Sequence, residues 1–158
     1  MGITYFAAPL RCPHCGHTSP DDTSTCMVSH LLDGPQTSVM RAGDRLALGR
    51  VEIIAAFYLL RTPLARWPLT LLQDWLCPSC HATQFALVVF EDGGIARIDA
   101  VPNPREALAA AHLATERLPE IYELFTREPL YIDQKRRPDF LQRFKAALPA
   151  SGTRWSVL

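Results

Sequence analysis

The strand pattern is strongest in two neighbouring runs, the mainly apolar TQFALVVF (83–90) and the alternating IARIDAV (95–101), separated by Glu91-Asp92-Gly93-Gly94. Two β-prone runs joined through Asp-Gly predict a hairpin, because these residues accept the positive φ of a tight turn. In the second run Ala96, Ile98 and Ala100 fall on one face, and Arg97 and Asp99 on the other. Residues 3–10 predict a short strand, and QTSVMRAGDRLAL predicts a hairpin turning at Ala42-Gly43-Asp44. Residues 16–35 cluster Gly, Pro, Asp, Ser and Thr and read as a polar loop. VEIIAAFYLL (51–60) suits a buried strand by residue type and a helix by length, so both stay open. RTPLARWP then breaks any regular element, since each Pro restricts the residue before it.

The pattern changes after Val101. Asn103 is a good N-cap, Pro104 suits the first helical position and Glu106 completes a capping box, so a helix is expected over REALAAAHLATER. Pro119 separates it from a second short helix at Glu120–Phe125. A third follows Pro138, with Phe140, Leu141, Phe144 and Leu148 at helical spacing. The expected fold class is therefore α+β: a β-rich region over 1–103 and a helical C-terminal extension over 104–158. Leucines and phenylalanines of the extension carry too much apolar surface for a solvated appendage, so it is expected to dock on the β region.

Composition narrows the function classes. The chain of 158 residues fits one domain, or one with an extension, and is long enough to bury a core. Sixteen basic residues balance sixteen acidic ones, which gives no general pull towards nucleic acid or acidic membranes. The longest apolar run contains Glu52 and is half the roughly 20 residues a bilayer needs, so no membrane span is expected. The N-terminal MGITYFAAPLRC has no basic stretch ahead of its apolar residues, and a cytoplasmic location is expected. Fourteen of the sixteen basic residues are Arg, which suggests a GC-rich, bacterial genome.

The chemistry lies in the cysteines. CPHCG places Cys12 beside Cys15, and CPSCH places Cys77 beside Cys80, with 61 residues between the copies. A tight turn at this spacing points two sulfurs at one ion and lets backbone N–H groups support the thiolates. Two such turns supply four soft ligands in a tetrahedron, the arrangement of structural zinc. Gly16 suits the knuckle, whereas His81 takes its place in the second copy. A disulfide framework fits poorly with an odd fifth cysteine and no signal segment. A thiol redox centre needs a single motif opening a helix in a βαβ unit, which neither copy has. A local set of Cys12, Cys15, Cys26 and His30 is an alternative, but it strands Cys77 and Cys80. His14, His17 and His81 either hydrogen-bond the sulfurs or face solvent.

With both knuckles in view, the chain resembles the zinc-ribbon class, in which two C-P-x-C knuckles at hairpin tips share one zinc. The resemblance rests on Cys12, Pro13, Cys15, Gly16, Cys77, Pro78 and Cys80 and on the strands after Cys80, covering about residues 5–102. It looks most like small bacterial zinc-ribbon proteins and implies one structural Zn²⁺. The spacer exceeds that of a minimal ribbon, so Gln36–Leu60 is expected to insert strands between the knuckles. Iron in the same four thiolates, as in rubredoxin, is the competing metal; the long spacer speaks against it.

No catalytic residue and no cofactor-binding residue other than the metal ligands is expected. H-E-x-x-H, G-x-S-x-G and phosphate-loop patterns are missing, and His14, His17 and His30 lack the Glu that a zinc deaminase would place beside them. His112 receives no role. Lys135, Arg136 and Arg137 form the basic concentration, diluted by Glu128, Asp133 and Asp139. The expected function is non-enzymatic: a structural-zinc module that binds a protein partner, as an adaptor or as an inhibitor of the immunity type. A nucleic-acid-binding ribbon in transcription or translation comes second. A metal-dependent enzyme using His30 or His112 ranks last.

Overall fold

The computed structural model describes residues 4–29, 38–45, 51–53, 57–59, 68–115 and 155–157. Its largest element is a five-stranded sheet in the order β5-β9-β6-β7-β8. Here β5 is Phe57–Leu59, β6 Leu69–Leu76, β7 Thr83–Glu91, β8 Gly94–Val101 and β9 Leu113–Thr115. A three-stranded sheet, β2-β1-β3, is built from β1 (Thr4–Phe6), β2 (Val28–Ser29) and β3 (Ser38–Met40). Two further strands, β4 (Val51–Ile53) and β10 (Trp155–Val157), pair in parallel.

Strand periodicity explains how the sheets pack. In β6 every second residue is buried: Leu69, Leu71, Gln73 and Trp75, with Cys77 continuing the row past the strand end. The N-terminal segment shows the same period in Thr4, Phe6, Ala8, Leu10 and Cys12. These rows share one core with Ala86, Val88 and Phe90 of β7, where Phe6 meets Phe90 edge-on at 6.3 Å. On the sheet's opposite face Leu72 and Phe85 pack with Ala107, Ala111 and Ala114. Each buried row thus ends on a cysteine, and that places the site.

The predicted hairpin at 91–94 is present, with Asp92 and Gly93 both at positive φ. A β-bulge between Val89 and Phe90 alters its far strand. Val89 pairs Arg97 and Phe90 pairs Ile95, so Ala96 is the extra residue and is exposed, while Ile95 and Ile98 both turn inward. The turn at 42–44 also forms: Asp44 Oδ2 accepts from the Arg41 N–H at 2.7 Å, and the Asp44 N–H donates to the Arg41 carbonyl. It does not close a hairpin among the described residues. β3 runs parallel to β1, and Arg45 bridges to Gly94.

The expected α+β fold with a helical C-terminal extension is overturned. Among the described residues the chain is strand-rich, and its α-helix is α1, the seven residues Pro104–Ala110. The helix starts after Asn103, as expected: the Ala107 N–H donates to the Asn103 carbonyl, and Asn103 Nδ2 donates to Glu106 Oε1, a side-chain contact between the two residues of the capping pattern. It stops because sheet pairing captures the next residues. The His112 N–H donates to the Thr70 carbonyl, and His112 Nδ1 accepts from the Thr70 N–H at 3.1 Å. Leu113 and Ala114 then pair in parallel with Leu71 and Leu72 and are buried. Ladder bonds and burial outweigh the helix propensity of Leu113 and Ala114, which His112 and Thr115 on either side do little to support. Trp155–Val157, expected in the extension, is a strand as well. The helices expected at 120–125 and after Pro138, and the basic run at 135–137, lie outside the described residues.

Candidate metal centre

Both knuckles are built by the same backbone bonds. In the first, Cys12 N–H donates to the His17 carbonyl at 2.8 Å and Gly16 N–H to the Cys12 carbonyl at 2.9 Å. In the second, Cys77 N–H donates to the Ala82 carbonyl at 3.0 Å and His81 N–H to the Cys77 carbonyl at 2.9 Å. The residue after each second cysteine takes the left-handed conformation: Gly16 at φ 75° and His81 at φ 56°. Gly16 adopts it freely, whereas His81 does so at a cost of about 1–2 kcal/mol.

What holds each knuckle differs. The second joins β6 to β7 and rests on a ladder that runs from Leu76↔Thr83 to Leu69↔Phe90. The first rests on one bridge, Arg11↔Thr18, and on Ser19. The buried Ser19 hydroxyl accepts from the Leu10 N–H at 2.9 Å and donates to the Ala8 carbonyl at 3.1 Å. Sequence reasoning missed both supports. The LTLLQDWL strand shows alternation in Leu69, Leu71 and Trp75 that finds it, whereas nothing in the local sequence marks Ser19.

These supports bring Cys12, Cys15, Cys77 and Cys80 together, with all four sulfurs within 4.8 Å of one another. Cys12 Sγ lies 3.8 Å from Cys80 Sγ, and Cys15 Sγ lies 3.7 Å from Cys77 Sγ. A tetrahedron of sulfurs about 2.3 Å from a central ion has edges of about 3.8 Å. A disulfide would need about 2.05 Å. The spacing is that of a ligand set, and the four cysteines can hold one metal ion. Cys12 and Cys77 are buried, Cys80 is half-buried and Cys15 is exposed.

The cluster's electrostatics are uneven before any metal binds. Burial pushes the Cys77 thiol up, but hydrogen bonds from the Cys80 and Ser79 backbone N–H groups, and contacts with the Cys80 and Cys15 sulfurs, bring it down to about 7. The Ala82 N–H favours the Cys80 thiolate, yet burial and the sulfurs of Cys15, Cys77 and Cys12 raise Cys80 to about 12. Cys77 is thus the more acidic of the two sulfurs and Cys80 the less acidic.

The remaining candidates stay out of the cluster. Cys26 is exposed and caps the short 3₁₀ turn Thr23–Thr25. His30 lies outside the described residues. His14, His17 and His81 are exposed, with no ring hydrogen bond to a sulfur among the described residues. His112 is engaged by Thr70, its Nδ1 lying 2.8 Å from the Thr70 hydroxyl. Among the described residues no helix is long and apolar enough to cross a membrane. Comparison with protein families, curated proteins and solved structures finds no match for this chain.

Proposed function

We propose that the chain is a structural-zinc protein in which Cys12, Cys15, Cys77 and Cys80 hold one Zn²⁺. The observation that carries this reading is the all-sulfur donor set at tetrahedral edge spacing. Zinc would fix the weakly held first knuckle to the strongly held second one, so its binding free energy becomes folding free energy. Four thiolates on a divalent ion leave no open position and a net charge of about −2, which makes a poor Lewis acid. The metal therefore serves architecture, and the protein acts by binding, as an adaptor or an inhibitor of the immunity type. Balanced charge favours a protein partner over nucleic acid.

Elemental analysis of protein purified without added metal tests the first part, with one zinc per chain expected. Full occupancy by iron, or no metal in a folded protein, would overturn it. Affinity capture from the native host, read by mass spectrometry, tests the second. A protein recovered at stoichiometric ratio supports the adaptor reading. Submicromolar binding in a gel shift at moderate salt, lost in Lys135→Ala/Arg136→Ala/Arg137→Ala, would replace it with the nucleic-acid reading.

A further inference from the structure

The four sulfurs differ in accessibility, and the way they pair has a chemical consequence. Cys12 and Cys77 are 1% and 0% exposed and belong to the core. Cys15 stands at the solvent edge. Two sulfur–sulfur contacts join one knuckle to the other: Cys15 to Cys77 at 3.7 Å and Cys12 to Cys80 at 3.8 Å. An oxidant arriving from solvent meets Cys15, and the Cys77 sulfur 3.7 Å from it belongs to the opposite knuckle.

We propose that Cys15 is a site of oxidation by hydroperoxides and that the product is a cross-knuckle disulfide, Cys15–Cys77, followed by Cys12–Cys80. The proposal rests on the zinc reading only for what is released when the sulfurs are consumed. The Cys15 sulfur attacks one peroxide oxygen, the O–O bond breaks and the second oxygen leaves as hydroxide, giving a sulfenic acid. The Cys77 thiolate then attacks the Cys15 sulfur; the S–O bond breaks, hydroxide leaves and the S–S bond forms. Two protons from solvent convert the two hydroxides to water. Two thiolates have lost one electron each, and one peroxide has been reduced. A second peroxide oxidises Cys12 and Cys80 in the same way.

Cross-knuckle pairing keeps the N-terminal layer tied to the sheet after the metal has gone. Disulfides within each knuckle would untie them. The oxidised chain is therefore a metal-free but still latched form, and thiol reductant with zinc returns it to the starting state.

Tryptic peptides separate these outcomes. Cleavage after Arg11, Arg41, Arg66 and Arg97 puts Cys12 and Cys15 on 12–41 and Cys77 and Cys80 on 67–97. The zinc-loaded full chain carrying Cys26→Ser, which removes the other exposed thiol, is treated with hydrogen peroxide, and metal release is followed with a chromophoric chelator. Zinc release accompanied by covalently joined 12–41 and 67–97 is expected, with Cys15–Cys77 the first link in the fragmentation spectra. The oxidised protein should melt above its reduced, chelator-stripped counterpart. Separate peptides with internal disulfides, or Cys15 carried to sulfinic acid with no link, would overturn the proposal. The same map on reduced, metal-free chain keeps failure of the pairing distinct from failure of the zinc reading.

Discussion

The two knuckles are near-copies in backbone and unequal in support. Both close with the same pair of hydrogen bonds, both follow a buried row with a two-residue period, and both end in a left-handed residue. Yet the second is the turn of an eight-pair antiparallel ladder, whereas the first hangs on one bridge and a serine hydroxyl. The local motif therefore sets the shape of a ligand pair, and the surrounding sheet sets how firmly it is held. A metal contributes most where the sheet contributes least, at Cys12 and Cys15.

The largest effect should come from removing a ligand on the strong side. Cys77→Ser takes away a fully buried thiolate and is expected to abolish stoichiometric metal, with loss of binding energy on the order of 10 kcal/mol. Cys26→Ser should keep the metal and the melting temperature. Metal content and thermal melts of the two variants check this, and the reverse result would point to the local set with His30.

The unequal support gives the next effect. Ser19→Ala removes two buried hydrogen bonds at the base of the first knuckle and should cost about 1–3 kcal/mol. In the chelated protein, amide exchange should quicken at 12–18 well before 77–82. Equal protection of the two segments would erase the distinction between them.

Acidity separates two sulfurs within the cluster. In the metal-free chain the Cys77 thiol is lowered to about 7 against a free value near 9, so its stabilising contribution is complete above pH 9 and is lost as pH falls through 7. Cys80 is raised to about 12, so its contribution is complete below pH 9 and is lost as pH rises towards 12. Reduced apoprotein should therefore melt highest near pH 9, a maximum that Cys77→Ser flattens on the acid side.

The smallest effects lie at the left-handed positions. Gly16→Ala should cost about 1–2 kcal/mol through conformation alone, since a methyl group there meets nothing within 4 Å. His81→Gly should gain about 0.5 kcal/mol, strain relief being partly offset by chain entropy. Thermal melts of the loaded protein order the two.

The knuckles and the 91–94 turn were legible because their residue types are tied to local geometry: Cys-x-x-Cys, Gly16, Asp92-Gly93. The strand leading to Cys12 is predicted as well, whereas the one leading to Cys77 is not: Leu72 and Gln73 blur its alternation, and only the structure shows the two rows meeting. The end of α1 was not legible. HLAT carries an acceptable helix pattern, and what diverts it is pairing with β6, some 40 residues earlier in the chain. The bulge at Val89/Phe90 was equally hidden, since alternation alone puts Ala96 inside. Long-range pairing overrode local preference at both places.

X-ray absorption at the metal edge of the purified protein reads the ligand set itself. Four sulfur scatterers at about 2.3 Å around zinc, with no lighter ligand, are predicted. A nitrogen or oxygen scatterer at about 2.0 Å would contradict the four-cysteine site, because it would bring a histidine, a carboxylate or water into the first coordination shell.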